Sequence, residues 1–165
     1  MGAGKTTVGK ALAAELGLMF YDLDWYIESR MRKTVAQIFE ERGEEGFRQI
    51  ERNMLHEVAE FENVIISCGG GTPCFFDNME YLNGQGDTVY LQASPEVLAG
   101  HLRMGKSVRP LILGKTDEEL LQFIRESLAK RDEYYLKARH IVNVDLMESA
   151  DKIKLTVDRV KEAVM

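Results

Sequence analysis

The chain has 165 residues, 45% of them hydrophobic and 29% charged, which suits one soluble domain with a sizeable core. Its net charge of −6, with acidic residues spread throughout, argues against a nucleic-acid surface and leaves any anionic ligand to local cations. No apolar run approaches the roughly 20 residues of a membrane span, and Cys68 and Cys74 lack CxxC or Cys/His grouping, so buried thiols in a cytoplasmic protein are expected.

The chain opens Met1-Gly2-Ala3-Gly4-Lys5-Thr6-Thr7, whose Gly4, Lys5 and Thr6 supply the last letters of the phosphate-loop pattern G-x-x-x-x-G-K-[ST]. In such a loop, backbone N–H groups cradle phosphates, the Lys neutralises them and the hydroxyl ligates Mg²⁺. The stretch Gly2 to Thr7 is therefore the candidate nucleotide site, with Lys5 on the β- and γ-phosphates and Thr6 on the metal. Val8, Ala11, Leu12 and Leu16 keep helical spacing behind it, and Gly17 is a natural stop. A phosphate loop normally follows a buried strand, so the sequence is expected to lack about ten N-terminal residues that would carry it.

Met19-Phe20-Tyr21 reads as a strand ending at Asp22, and Thr34 to Gln37 as a capping box opening a helix that stops near Gly43. A longer helix follows, with Phe47, Ile50, Met54, Val58 and Phe61 on one side. Val64 to Ser67 is a buried-type strand running into Gly69-Gly70-Gly71. Thr88 to Leu91 is the next strand, and Ser94-Pro95-Glu96 opens a helix with Ser as cap and Pro at its first position. Thr116 to Glu119 is a second capping box, before Leu120, Ile124 and Leu128. His140 to Val144 is the last strand, and Ser149 caps a final helix with Ile153, Val157, Val160 and Val164 inside. Strands alternating with helices predict an α/β fold with a parallel sheet covered on both faces. The absent strand would then sit near its centre, beside those ending at Ser67 and Leu91.

Several residue groups invite chemistry. Asp22 and Asp24 alternate at a strand's carboxyl end, where open α/β sheets place ligands, and in extended chain they would share one side. Three glycines after a buried strand are costly in backbone entropy unless the backbone must approach a ligand. Arg48 has Glu51 three residues on, and alone could be a surface ion pair; Arg109 and Arg131 are equally ambiguous alone. Met104 to Lys115, MGKSVRPLILGK, reads as a mobile lid that would carry Arg109 over a site and exclude water. His56, His101 and His140 show no partner spacing and are read as structural.

Taken in order, GAGKTT, DLDWYIE at 22–28, IFEERGEEGFRQIE at 38–51, SCGGGTP at 67–73 and VRPLI at 108–112 make the chain resemble shikimate kinase across essentially its whole length. KRDEYYLKA at 130–138 is a looser match, because that family usually has a Pro where this chain has Glu133. The resemblance implies one domain over 1–165 with a three-layer P-loop NTPase fold: a central parallel sheet flanked by helices, nucleoside-monophosphate-kinase-like with a lid. Substrate-binding helices would fall at about 25–62 and the lid at about 104–117.

It further implies ATP-dependent phosphorylation of shikimate to shikimate 3-phosphate, with Mg²⁺ as cofactor. Asp22 would act on the Mg²⁺ side through water, and Asp24 would contact the acceptor hydroxyl as candidate base. Gly69, Gly70 and Gly71 would wall the shikimate pocket. Arg48 and Arg131 would fork the shikimate carboxylate, while Arg109 would reach both substrate and transferring phosphate. Arg103 would stack on adenine. Ser67, where many P-loop enzymes carry Asp, could only order a water, leaving phosphates and Asp22 to balance the metal. A monomer is expected. The competing readings are a kinase of another small acceptor, such as gluconate or a nucleotide, and a nucleotide-binding regulatory domain without turnover.

Overall fold

The structure, a computed structural model, describes residues 2–104 and 114–165. The chain divides into two compact units, Met1–Val8 with Thr88–Met165, and Gly9–Asp87. Strands and helices alternate as expected, and both strand pairings are parallel. The described strands hydrogen-bond as two separate pairs, β1 with β2 and β3 with β4.

Helix α1 (Lys5–Leu16) begins at the phosphate loop, where Val8 N donates to Gly4 O at 2.9 Å. It ends at Gly17, whose φ of +67° is the left-handed conformation that closes a helix. In the unit Gly9–Asp87, β1 (Met19–Asp22) lies parallel to β2 (Val64–Ser67), with Asp22 opposite Ser67. Val64, Ile65 and Ile66, expected to be buried, are half-buried, and among the described residues β2 pairs with β1 alone. Cys68 and Cys74 are likewise half-buried thiols.

The chain passes directly from β1 into α2 (Leu23–Met31), and then into α3 (Val35–Val58), the helices expected to bind substrate. The capping box that opens α3 is complete: Gln37 N donates to Thr34 Oγ1 at 3.1 Å and Thr34 N to Gln37 Oε1 at 2.8 Å. The break expected near Gly43 is present within α3, where φ is +70° and ψ −179°. Leu23, Ile27, Ile38, Phe47, Ile50 and Leu55 form the core, with Met54, Cys68 and Leu82 packed against it. Each such buried side chain contributes about 1.5–3 kcal/mol. Phe61 departs from the expected helical row: it lies beyond α3, half-exposed, with its ring 5.4 Å from that of Tyr21. Helix α4 (Asn78–Gln85) has no counterpart in the sequence reading, since its eight residues bury only Asn78 and Met79.

In the other unit, β3 (Val89–Gln92) lies parallel to β4 (His140–Asn143). Three helices here have their N-caps at the residues the sequence names, although at Thr116 only the Glu119 N–H half of the expected capping box forms among the described residues. Ser94 Oγ accepts from Val97 N at α5 (Pro95–Met104), and Thr116 Oγ1 from Glu119 N at α6 (Asp117–Tyr135). Ser149 Oγ accepts from Lys152 N at α7 (Ala150–Val164). Ala3, Leu98, Leu102, Leu120 and Ile124 form this unit's core, so the phosphate loop is anchored by its own alanine. Among the described residues, no helix is long and apolar enough to cross a membrane.

Candidate functional site

Backbone conformation shapes the phosphate loop. Gly2 and Gly4 take φ of +64° and +86°, which residues with a Cβ rarely adopt. A methyl group on Gly4 would also lie 2.1 Å from Met147 Cε, so that side chain would have to shift, while the positive φ is what favours glycine there. Lys5, Thr6 and Thr7 form the first turn of α1, ahead of the Val8 N–H that makes the first intrahelical bond. Their N–H groups therefore sit at the positive end of the helix dipole, the usual place for a phosphate.

In the same unit, Arg103 Nη2 donates to Lys115 O at 2.9 Å and lies 3.1 Å from Asp117 Oδ1. These contacts tie the end of α5 to the start of α6. Arg109, and the lid from 105 to 113, lie outside the described residues. Arg131 is half-buried on α6 and forms no ion pair among the described residues. Its neighbour Asp132 accepts a 2.8 Å hydrogen bond from Tyr90 Oη, which fixes this turn of α6 to β3. Burial, and then that carboxylate, push the Tyr90 hydroxyl well above its ordinary range, so it stays a donor.

The unit Gly9–Asp87 gathers a second cluster. Asp22 is the N-cap of α2: its Oδ1 accepts from Trp25 N at 3.2 Å. The strand therefore ends at Asp22, and Asp24 sits in the first helical turn. This corrects the expectation that both aspartates project from one side of a strand; capping bends the chain into helix between them. Asp24 nonetheless meets the glycine turn, since a methyl group on Gly69 would lie 3.6 Å from each of its carboxylate oxygens.

Arg48 is no surface ion pair. It is 12% exposed, and its Nη1 donates to Glu51 Oε1 at 2.9 Å, on a side chain only 1% exposed. The other oxygen of Glu51 accepts from Thr72 Oγ1 at 2.8 Å, just past the glycines, and Asn78 Nδ2 holds Thr72 O at 2.9 Å. The guanidinium also lies over the Phe75 ring, 4.2 Å from its centroid. Its Nε is buried and makes no hydrogen bond among the described residues, Glu44 Oε1 being 3.8 Å away.

Gly71 explains why the turn needs glycine. A methyl group there would fall 2.5 Å from Arg48 Nη2 and 2.9 Å from Cζ. None of Gly69, Gly70 and Gly71 has a positive φ, so at Gly71 the requirement is space rather than backbone freedom. Gly71→Ala is expected to displace the guanidinium and cost about 1–3 kcal/mol of stability by overpacking. Thermal unfolding checks this: an unchanged melting temperature would show that the contact relaxes without loss.

A family model described as shikimate kinase matches residues 1–161. Shikimate kinase of Phocaeicola vulgatus is 58% identical over 162 residues, covering 98% of this chain and 93% of that protein. The crystal structure of shikimate kinase from Bacteroides thetaiotaomicron has a TM-score of 0.94 at 56% identity, over 98% of this chain and 92% of that one. The chain belongs to the shikimate kinase family.

A more distant shikimate kinase, from Acinetobacter baumannii and solved in complex with shikimate, matches with TM-score 0.82 at 33% identity, over 98% of this chain and 87% of that one. Membership accounts for the motifs that the sequence displays, from GAGKTT to KRDEYYLKA. It does not by itself explain the supporting residues. Glu51 and Thr72 lie within the resemblance segments and Asn78 outside them, but the contacts of all three depend on how the glycine turn folds over α3. His101, read as a plain structural residue, meets the phosphate loop directly, with Nδ1 2.7 Å from Gly2 O.

Proposed function

We propose the following division of labour in a kinase that transfers the γ-phosphoryl group of ATP to shikimate, giving shikimate 3-phosphate. The loop Gly2 to Thr7 holds the ATP phosphates, with Lys5 neutralising the β- and γ-phosphates. The cluster of Asp24, Arg48 and Gly69 to Gly71 holds the acceptor. Asp24 contacts the reacting hydroxyl and Arg48 takes the carboxylate. Arg131 is the carboxylate's second arm, Arg109 reaches substrate and transferring phosphate, and Arg103 serves the adenine. The chain acts as a cytoplasmic monomer.

The observation that carries this reading is the state of Arg48. A part-buried guanidinium uses Nη1 on Glu51, has a buried Nε with no hydrogen-bond partner among the described residues, and is approached closely by a backbone kept bare at Gly71. Such a group has planar donors left for a bidentate anion, and a carboxylate fits that fork. A purely structural ion pair would need neither the glycine nor the unused N–H.

Mg²⁺ fits the donor set. Thr6 offers a hydroxyl and Asp22 a carboxylate. Both are hard oxygen donors, and no group of three or more His, Cys, Asp or Glu is gathered for a metal among the described residues. Phosphates and water would then complete the shell, as Mg²⁺ prefers. Bound there, the ion would neutralise charge on the β- and γ-phosphates. The chain's own residues supply positioning and the proton acceptor, because phosphoryl transfer needs little covalent help.

A coupled ADP-release assay with shikimate, quinate, gluconate and nucleoside monophosphates tests the acceptor. Turnover should be strongly selective for shikimate; selectivity for gluconate or a nucleotide would overturn the reading. Arg131→Met should raise the KM for shikimate by about ten- to a hundredfold, the loss of one charge-assisted contact, with the KM for ATP barely moved. A drop in ATP affinity with shikimate untouched would contradict that placement of Arg131.

A further inference from the structure

The imidazole of His101 joins two backbone segments. Its Nδ1 lies 2.7 Å from Gly2 O, and its Nε2 lies 2.8 Å from Met147 N. A carbonyl oxygen can only accept and a peptide N–H can only donate, so the partners dictate the proton's position. Nδ1 carries the hydrogen and donates to Gly2 O, while bare Nε2 accepts from Met147 N–H. The ring is thus neutral, in one tautomer, with both nitrogens satisfied.

Both segments shape the phosphate loop. Gly2 is held in a left-handed conformation against α5, where a methyl group would lie 2.9 Å from Leu98 O. Met147, suspended from Nε2, is buried, and its Cε occupies the space that a Cβ on Gly4 would need. One imidazole therefore fixes the start of the loop through Gly2 and the side chain packed on its second glycine through Met147.

Resting on the reading that this loop holds the ATP phosphates, we infer that His101 is a positioning residue for nucleotide binding: it braces the loop in its phosphate-receiving shape through Gly2 and Met147. It touches no reacting atom. Losing the brace should lower ATP affinity and leave the acceptor cluster, and turnover at saturating ATP, close to the parent.

His101→Phe keeps a flat ring and removes both bonds. It should raise the KM for ATP by about ten- to thirtyfold, two neutral hydrogen bonds' worth, with kcat and the KM for shikimate within about twofold. His101→Asn, whose amide can still donate toward Gly2 O, should recover part of that loss. Nitrogen-15 NMR of the imidazole in the parent protein gives a readout independent of any variant: a protonated Nδ1 beside an unprotonated Nε2 is expected. An Nε2–H form, or an average of the two tautomers, overturns the brace, as does a His101→Phe variant with unchanged KM for ATP. Lys5→Met separates the brace from the loop reading. A KM raised by Lys5→Met alone overturns only the brace. A KM unmoved by both variants overturns the loop reading and the brace with it.

Discussion

Asp24→Asn is expected to lower kcat by about 10²–10⁴-fold while the KM for ATP stays near the parent value, the range that general-base catalysis supplies. Asn keeps the size of the side chain and one acceptor oxygen but loses the charge and the ability to take a proton. Asp24 lies in the first turn of α2, its carboxylate in contact distance of the space above Gly69, so the substitution leaves packing intact. A loose phosphoryl-transfer transition state asks for little deprotonation of the alcohol, which places the expected loss toward the lower end of the range. Asp22→Asn provides the contrast. Asn caps helices as well as Asp, so α2 should persist, and the effect should fall on the Mg²⁺ dependence rather than on shikimate. Measuring kcat and both KM values for the two variants across a Mg²⁺ titration checks the assignment. Parental turnover by Asp24→Asn would remove it from the mechanism.

Arg48→Met should combine two losses that a second variant can separate. The first is structural. Glu51 is 1% exposed, and removing its cation leaves a buried carboxylate held, among the described residues, by Thr72 alone, a change that typically costs about 3–5 kcal/mol. The second is functional, about a ten- to hundredfold rise in the KM for shikimate. Arg48→Met combined with Glu51→Gln removes both charges and should regain much of the stability, because the cost lies in the orphaned charge more than in the lost bond. Shikimate affinity should stay low. Denaturant unfolding and steady-state kinetics on the single and double variants decide this. If affinity returns with stability, Arg48 acts only through the fold.

The helix caps show what the sequence makes legible. Thr34 with Gln37, Ser94, Thr116 and Ser149 each occupy the cap their pattern announces, because capping is a contact between residues three apart. Gly17 and Gly43 mark a helix end and a break for an equally local reason, their positive φ. Asp24 shows the first limit. Two aspartates two positions apart look like a strand face, yet the same Asp22 that ends the strand caps a helix, and its capping bond decides the outcome. Glu51, Thr72 and His101 show the second. Their partners lie 21 and 99 residues away, and no periodicity connects such positions. The motifs name the groups proposed to meet substrate, whereas the contacts that hold those groups in place are visible only in the folded chain.

If the Arg48 cluster receives the carboxylate of shikimate, exchanging shikimate for its methyl ester should expose it. The ester keeps the ring and hydroxyls but removes the charge. The parent protein should show kcat/KM for the ester about ten- to a hundredfold below that for shikimate, and Arg48→Met combined with Glu51→Gln should show much less discrimination between the two. Discrimination undiminished in that double variant would contradict the account.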